Sequence, residues 1–168
     1  MDLVNRSKYK IILGSGSARR SELLSMTGIN FIVNSIPVDE SFPDSLEGAE
    51  ISEYIVKNKS DAFNNLIKEN EIIITADTLV WFENKCLGKP KDKKEARYML
   101  KLFAGKSHDV ITSVGFLTSS KFKLLTESTT VRYKNLSDKE IEYYVEKENP
   151  IDKAGSYGIQ DWIGMVGV

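Results

Sequence analysis

The stretch Ile11–Gly28, IILGSGSARRSELLSMTG, decides the architecture, because a strand, a loop of small residues and a helix follow one another directly in it. The apolar triplet Ile11, Ile12 and Leu13 reads as the end of a strand. Ser17 is placed to cap a helix whose Leu23, Leu24 and terminal Gly28 fit a short amphipathic segment. Arg19 and Arg20 then fall in that helix's first turn. Free N–H groups and the macrodipole make a helix N-terminus partly positive, so two guanidiniums there oppose the local field. A bound anion resolves the conflict, since amides, dipole and guanidiniums then point at one negative charge. The plainer reading places both arginines on a solvated face.

Working outward, Asn30–Ser35 (NFIVNS) reads as a second short strand and residues 36–48 (IPVDESFPDSLEG) as a loop rich in turn residues. Residues 49–70 read as one helix, with Ile51, Tyr54, Ile55, Ala62, Leu66 and Ile67 near one face and Lys57 and Lys59 on its surface. Residues 71–90 (EIIITADTLVWFENKCLGKP) begin with a continuous apolar run, the mark of a buried strand, and Glu83-Asn84-Lys85 turns it into a returning strand. Asp77 lies inside that run. A buried carboxylate costs several kcal/mol unless it is paired, hydrogen-bonded, metal-bound or open to solvent. A reversal near Asn84 brings Lys89 within about two positions of Asp77 across the hairpin.

Asp92 and Glu95 stand at capping-box spacing before Ala96, Met99, Leu100 and Phe103, with Gly105 as the stop. Two long strands meet near Ser119 and Ser120, and Ser137 with Glu140 opens a further helix. The glycine-punctuated segment 150–162 (PIDKAGSYGIQDW) carries Lys153 and Gln160. Mixed helices and strands with at least one hairpin indicate an α/β or α+β sheet sandwich.

The 168 residues, 41% of them hydrophobic, suffice for one domain with a proper core. Lys and Arg number 23 against 24 Asp and Glu, for a net charge of -1, so no global basic field draws nucleic acid. The sole cysteine, Cys86, rules out an internal disulfide and reads as a packing residue. The opening MDLVNRSKYK has no apolar leader segment, and no apolar run approaches the roughly 20 residues that span a bilayer. The expectation is a cytoplasmic protein without membrane or nucleic-acid partners.

The opening loop lacks the Gly-Lys-Ser/Thr ending of a P-loop, and Arg19 stands where a dinucleotide fingerprint needs its third glycine. One histidine and one cysteine argue against a zinc site, and His108 reads as structural in the absence of a Gly-x-Ser-x-Gly elbow. There remain the cations Arg19, Arg20, Lys59, Lys89 and Lys153, set against Glu40 and Asp77. That combination suits a phosphorylated substrate with a hard divalent metal.

Seven separated blocks, in order, carry a resemblance: LGSGSARRSELL, VDE at Glu40, KNKSDA at Lys59, TADTLV at Asp77, LGKPKDKKEA at Lys89, GKSHDVIT at His108 and DKAGSYGIQ ending at Gln160. Over nearly its whole length the chain resembles the Maf family of nucleoside triphosphate pyrophosphatases, also described as septum formation inhibitors. The resemblance implies an α/β fold related to inosine triphosphate pyrophosphatases, with a long mixed sheet flanked by helices and two lobes around a cleft. It implies hydrolysis of a nucleoside triphosphate to monophosphate and pyrophosphate with Mg2+ or Mn2+, and a homodimer. The alternative is a regulator of cell division that binds the nucleotide without turnover.

By the same resemblance Asp77 is the proton acceptor and Glu40 helps to hold metal or water, so these two form the metal set. Ser15, Arg19, Arg20, Lys59, Thr78, Lys89, Lys153 and Gln160 are the substrate-binding set. Arginine, threonine and glutamine at 19, 78 and 160 resemble the branch acting on dTTP and UTP. A glutamine amide both donates and accepts, which suits the O4 and N3–H edge of thymine or uracil. The chain departs from the family at Ala18, where proline is usual, and at its end, DWIGMVGV, where relatives continue through a strand, a Gly-Ser-Tyr segment and a helix. A single domain over 1–168 without those elements is the resulting expectation.

Overall fold

A computed structural model describes residues 8–168. Residues 1–7, on which the expectation drawn from the opening MDLVNRSKYK mostly falls, lie outside the described residues. Strands β1 (Lys10–Leu13), β2 (Phe31–Val33), β3 (Glu71–Phe82), β4 (Lys85–Leu87), β5 (Ser107–Leu117) and β6 (Phe122–Arg132) form one sheet in the order β2-β1-β3-β5-β6, with β4 paired to β3. The helices are α1 (Ala18–Ser25), α2 (Ala49–Asp61), α3 (Lys93–Phe103), α4 (Asp138–Glu148) and the short α5 (Trp162–Gly167). This is the mixed α/β sheet with flanking helices that the resemblance implied, and it resolves the pattern's choice between α/β and α+β. Among the described residues no helix is long and apolar enough to cross a membrane.

The chain divides into two compact units, and β3, β5 and β6 each contribute residues to both. The first unit comprises residues up to Asp77 together with Thr112–Glu127. In it β1 runs parallel to both β2 and β3, with Ile11 opposite Phe31 on one side and Ile72 on the other. Ile12, Phe63, Ile73 and Leu117 pack together as its core, joined by Ile36, Ile67 and Phe122. Gly14 continues β1 and bonds the carbonyl of Ile74 through its N–H at 2.7 Å. A Cβ at Gly14 would press on Thr75 at 3.0 Å and Phe63 at 3.1 Å, so this position admits little besides glycine.

The helix read over residues 49–70 is shorter in the structure, ending at Asp61. From there Phe63 N–H bonds the Ser60 carbonyl and Asn64 N–H the Asp61 carbonyl, while the Asn64 amide also donates to the Asp61 carboxylate at 3.0 Å. Asp and Asn compete for backbone hydrogen bonds in this way, and the helix gives way to tight turns that seat Phe63 in the core. The apolar face is narrower than read: Ile51 and Ile55 are buried, but Tyr54 and Leu66 are exposed.

The second unit, Thr78–Ile111 with Ser128–Val168, holds the larger core. Val80, Phe82, Met99, Leu100, Phe103, Tyr133, Ile141, Tyr144, Val145 and Ile163 are among its buried residues. Asp92 caps α3 by accepting from Glu95 N–H at 2.8 Å, but the Glu95 carboxylate accepts from Lys91 rather than closing a box on Asp92. Ser137 and Glu140 do form the reciprocal capping box of α4. The turn after β3 places Glu83 and Asn84 at φ 48° and 60°, the two positive values of the tight hairpin turn that its residues suggested.

His108 is 3% exposed and shares a 2.7 Å hydrogen bond through Nε2 with the Tyr157 hydroxyl. Its ring lies 4.1 Å from that of Phe103, centroid to centroid. Burial holds the imidazole neutral and lowers its pKa from 6.5 to about 4. Since the folded value is the lower one, His108 adds stability above the unfolded pKa and loses it as pH falls through about 4. We expect on the order of 2–3 kcal/mol of stability to disappear on that descent. As the chain's sole histidine, its ring C–H resonances report the titration directly by proton NMR; a midpoint near 6.5 would contradict the buried, neutral ring.

Candidate active site

Four side chains of the first unit, Arg20, Lys59, Glu40 and Asp77, converge where β1 ends, α1 begins and β3 passes through Ala76 and Asp77. The β1 strand delivers the chain to Gly14 and the buried Ser15, whose Oγ accepts from Ser17 N–H at 3.3 Å. Ser17 in turn caps α1, accepting from Arg20 N–H at 3.4 Å. No acidic residue stands in the first turn of α1, so the N-terminal field is left uncompensated by its own sequence. Arg20 reaches β3 instead: its Nη1 donates to the Ala76 carbonyl at 2.8 Å and to Ser15 Oγ at 3.3 Å.

Lys59, near the C-terminal end of α2, approaches the same strand. Its Nζ donates to Asp77 Oδ1 at 2.8 Å, pairs with Glu40 Oε1 at 2.9 Å and touches the Ala76 carbonyl at 3.4 Å. The surface position read for this lysine in isolation is overturned, since its side chain is only 13% exposed. Lys57, two residues earlier, is the solvated one and pairs with Asp61. Helical geometry sends residues two apart to different faces, so the two lysines have different fates.

Asp77 is buried, and Glu40, on the loop between β2 and α2, is exposed. Desolvation pushes Asp77 above the ordinary carboxylate range, Lys59 and Arg20 pull it back down, and the negative Glu40 adds to the rise. Burial likewise lowers Arg20, opposed by the charges of Asp77 and Glu40. The result is a carboxylate held beside two cations yet kept more basic than a solvated aspartate, a suitable setting for accepting a proton.

These observations bear on which family the sequence comes from. A model of the Maf-like protein family matches residues 10–168. The chain belongs to the Maf-like family. This Maf-like protein is 48% identical over 167 residues, 99% of its own length and 86% of the relative's, to a dTTP/UTP pyrophosphatase of Bacteroides thetaiotaomicron. It is 46% identical over 161 residues, 96% of its length and 83% of the relative's, to one of Flavobacterium johnsoniae. Among solved structures, the Staphylococcus aureus Ham1 protein shares the fold with a TM-score of 0.54 at 11% identity, covering 74% of this chain and 71% of that one.

The remaining residues singled out in this Maf-like protein are placed differently from Arg20, Lys59, Glu40 and Asp77. Arg19 is exposed and its Nη1 donates to Glu22 Oε2 at 2.8 Å, so the adjacent arginines separate: one turns to β3, the other along its own helix. Thr78 follows Asp77 on β3 and is half-buried. Lys89, exposed, lies past the paired ladder, which closes at Val80 opposite Leu87 and does not extend to Asp77. The hairpin has the register expected from its turn, but its ladder stops before it reaches Asp77 or Lys89 and so does not itself pair them. Its strand stops early because Gly88 turns its carbonyl to Gly155 N–H at 3.0 Å and Pro90, lacking an N–H, follows.

Lys153 is half-buried, with Nζ 3.3 Å from Asp152 and 3.7 Å from Asp161, and Gln160 is exposed on the turn that closes with Asp161 N–H on the Gly158 carbonyl. Two participants escaped the sequence reading. The Ala76 carbonyl, which receives both Arg20 and Lys59, carries no side-chain signal at all. Asp161 had one: an aspartate directly before the run Trp162–Gly167 marks a helix start.

Proposed function

We propose that this Maf-like protein hydrolyses dTTP and UTP to the nucleoside monophosphate and pyrophosphate, with Asp77 as the base. The observation that carries the mechanism is the convergence of Lys59 and Arg20 on buried Asp77 and the adjoining Ala76 carbonyl, with Glu40 paired to the same lysine. The named activity of relatives 48% identical over 99% of the chain supports the choice of substrate.

A divalent ion fits the donor chemistry in a limited way. Among the described residues no three His, Cys, Asp or Glu side chains group as a self-sufficient metal site, whereas Glu40 and Asp77 meet at one lysine. Two carboxylates complemented by phosphate oxygens and water are what Mg2+ and Mn2+ accept. Glu40 and Asp77 are the residues that would hold the ion, which when bound polarises the phosphoryl oxygens as a Lewis acid.

The chain's own groups account for the rest. Asp77 takes the proton of the attacking water as its oxygen bonds to the α-phosphorus. The bond from that phosphorus to the bridging oxygen breaks, and the electron pair leaves with pyrophosphate. Lys59 keeps Asp77 ionised between turnovers, while Arg20 with Ser15 at the α1 N-terminus offsets charge on the phosphates. Arg19, Thr78, Lys89, Lys153 and Gln160 complete the proposed substrate set, with Gln160 assigned to the pyrimidine edge.

Incubating the purified chain with a panel of nucleoside triphosphates, with and without Mg2+ or Mn2+, and resolving monophosphate and pyrophosphate tests this. Metal-dependent release of both products from dTTP and UTP is expected; nucleotide binding without turnover would replace the enzyme with a binding protein. Gln160→Glu exchanges a group that donates and accepts for one that only accepts. It is expected to lower kcat/KM for dTTP and UTP about 10–100-fold more than for other nucleotides. An equal loss across the panel would remove Gln160 from base recognition.

A further inference from the structure

Asp161 is the N-cap residue of α5, yet its side chain makes no capping hydrogen bond. A carboxylate at that position ordinarily satisfies the free amides of the first turn. Here it is turned aside. Asp161 Oδ2 accepts from the Tyr144 hydroxyl at 2.7 Å and faces Lys153 Nζ at 3.7 Å, with the Asp161 side chain 13% exposed. Tyr144 is fully buried on α4, and its oxygen also accepts from Gly158 N–H at 3.3 Å. One phenol thus ties both ends of the Gly158–Asp161 turn to the core of the second unit.

Two glycines of this segment leave no space for a side chain. A Cβ on Gly158 would meet Asp161 Oδ2 at 2.8 Å, and one on Gly164 would come within 1.9 Å of the Ile159 carbonyl oxygen. Gln160 lies between these points and is exposed, and Lys153 is shared between two carboxylates, with its Nζ 3.3 Å from Asp152 and 3.7 Å from Asp161. A buried phenol therefore fixes both ends of the turn that carries Gln160, through an acid that has given up its local cap and that also faces Lys153.

We propose that Asp161, anchored by Tyr144, is a positioning residue that aims Gln160 and Lys153, and through Gln160 sets which nucleotide base is accepted. The inference rests on the dTTP and UTP reading and extends it to two residues that the sequence did not single out. Without the Tyr144 anchor the Gly158–Asp161 turn relaxes, Gln160 samples several directions, and the edge it reads is no longer discriminated. Asparagine at 161 keeps an oxygen for Tyr144 but loses the charge facing Lys153.

The test compares Tyr144→Phe, Asp161→Ala and Asp161→Asn with the unmodified chain, measuring kcat and KM for dTTP, UTP and dCTP alongside Tm. Tyr144→Phe and Asp161→Ala are expected to raise KM for dTTP and UTP about tenfold with kcat changed less than about threefold. The ratio of kcat/KM for dTTP to that for dCTP should fall about tenfold. Asp161→Asn is expected to restore the ratio while raising KM for all three nucleotides alike. The ratio is independent of the folded fraction, so a purely structural role would leave it unmoved, and an unmoved ratio in an otherwise active chain overturns the inference alone. If Asp161→Ala fails to fold, Tyr144→Phe, which deletes one oxygen atom, decides. Absence of dTTP and UTP hydrolysis by the unmodified chain would overturn the underlying reading and the inference with it.

Discussion

Asp77→Asn is expected to lower kcat for dTTP and UTP by about 10³-fold or more while leaving the nucleotide bound. Asparagine keeps the shape and still accepts from Lys59, but it cannot take a proton from water. The Asp77 pKa is raised, chiefly because burial penalises the charged form, and the opposing pull of Lys59 and Arg20 does not cancel that. A carboxylate with a raised folded pKa contributes stability below its unfolded value and loses that contribution as pH rises through the folded value. At neutral pH the ionised Asp77 is therefore a cost to the native state. The asparagine variant should lose activity without losing Tm, and a gain is the expected direction. Single-turnover assays give the chemistry, nucleotide titration the binding, and thermal denaturation at pH 7.5 the stability. Turnover within tenfold of the parent would dismiss Asp77 as the base.

What the sequence disclosed depended on how local the determinants were. The capped start of α1, the hairpin at Glu83-Asn84 and the capping box at Ser137 each rest on residues a few positions apart, and each was legible. The end of α2 was not. Its apolar spacing runs on past Asp61, but the pull of Phe63 into the core with Ile12, Ile73 and Leu117 is a tertiary demand that a helical repeat cannot express. Lys59 shows the same limit at the site. Alone it reads as a solvated helix residue, and only the approach of α2 to β3 and of the loop bearing Glu40 makes it the half-buried counter-charge of two acids. Arg19 and Arg20 were indistinguishable as a dipeptide; the rotation of about 100° between successive helix residues sends one to β3 and leaves the other with Glu22. The separated blocks of the Maf-like pattern named Lys59 where periodicity had no means to do so, whereas Asp77 already stood out as a carboxylate inside an apolar run. The acceptor at Ala76 is a backbone oxygen, which any residue supplies, so no reading of side-chain types could have found it.

Lys59→Met should reduce kcat/KM at pH 7 by about 10²-fold or more and move the acid limb of the pH–rate profile to higher pH. Lys59 lowers the Asp77 pKa both by its hydrogen bond and by its charge, and these are the two largest influences opposing desolvation. Their removal leaves only Arg20 to favour the carboxylate while Glu40 continues to disfavour it. Asp77 then retains its proton to a higher pH, and the fraction able to accept a proton from water falls. Leaving a buried charge without its partner costs about 3–5 kcal/mol, a penalty that the side chain avoids by taking up a proton. Catalytic loss and protonation are thus one effect, and the profile separates them from a simple phosphate contact. Were Lys59 only a ligand for the triphosphate, Lys59→Met would raise KM and leave the acid limb where it was. Lys59→Arg retains the charge and is expected to return the limb toward its original position, even if the longer, planar group recovers only part of the rate.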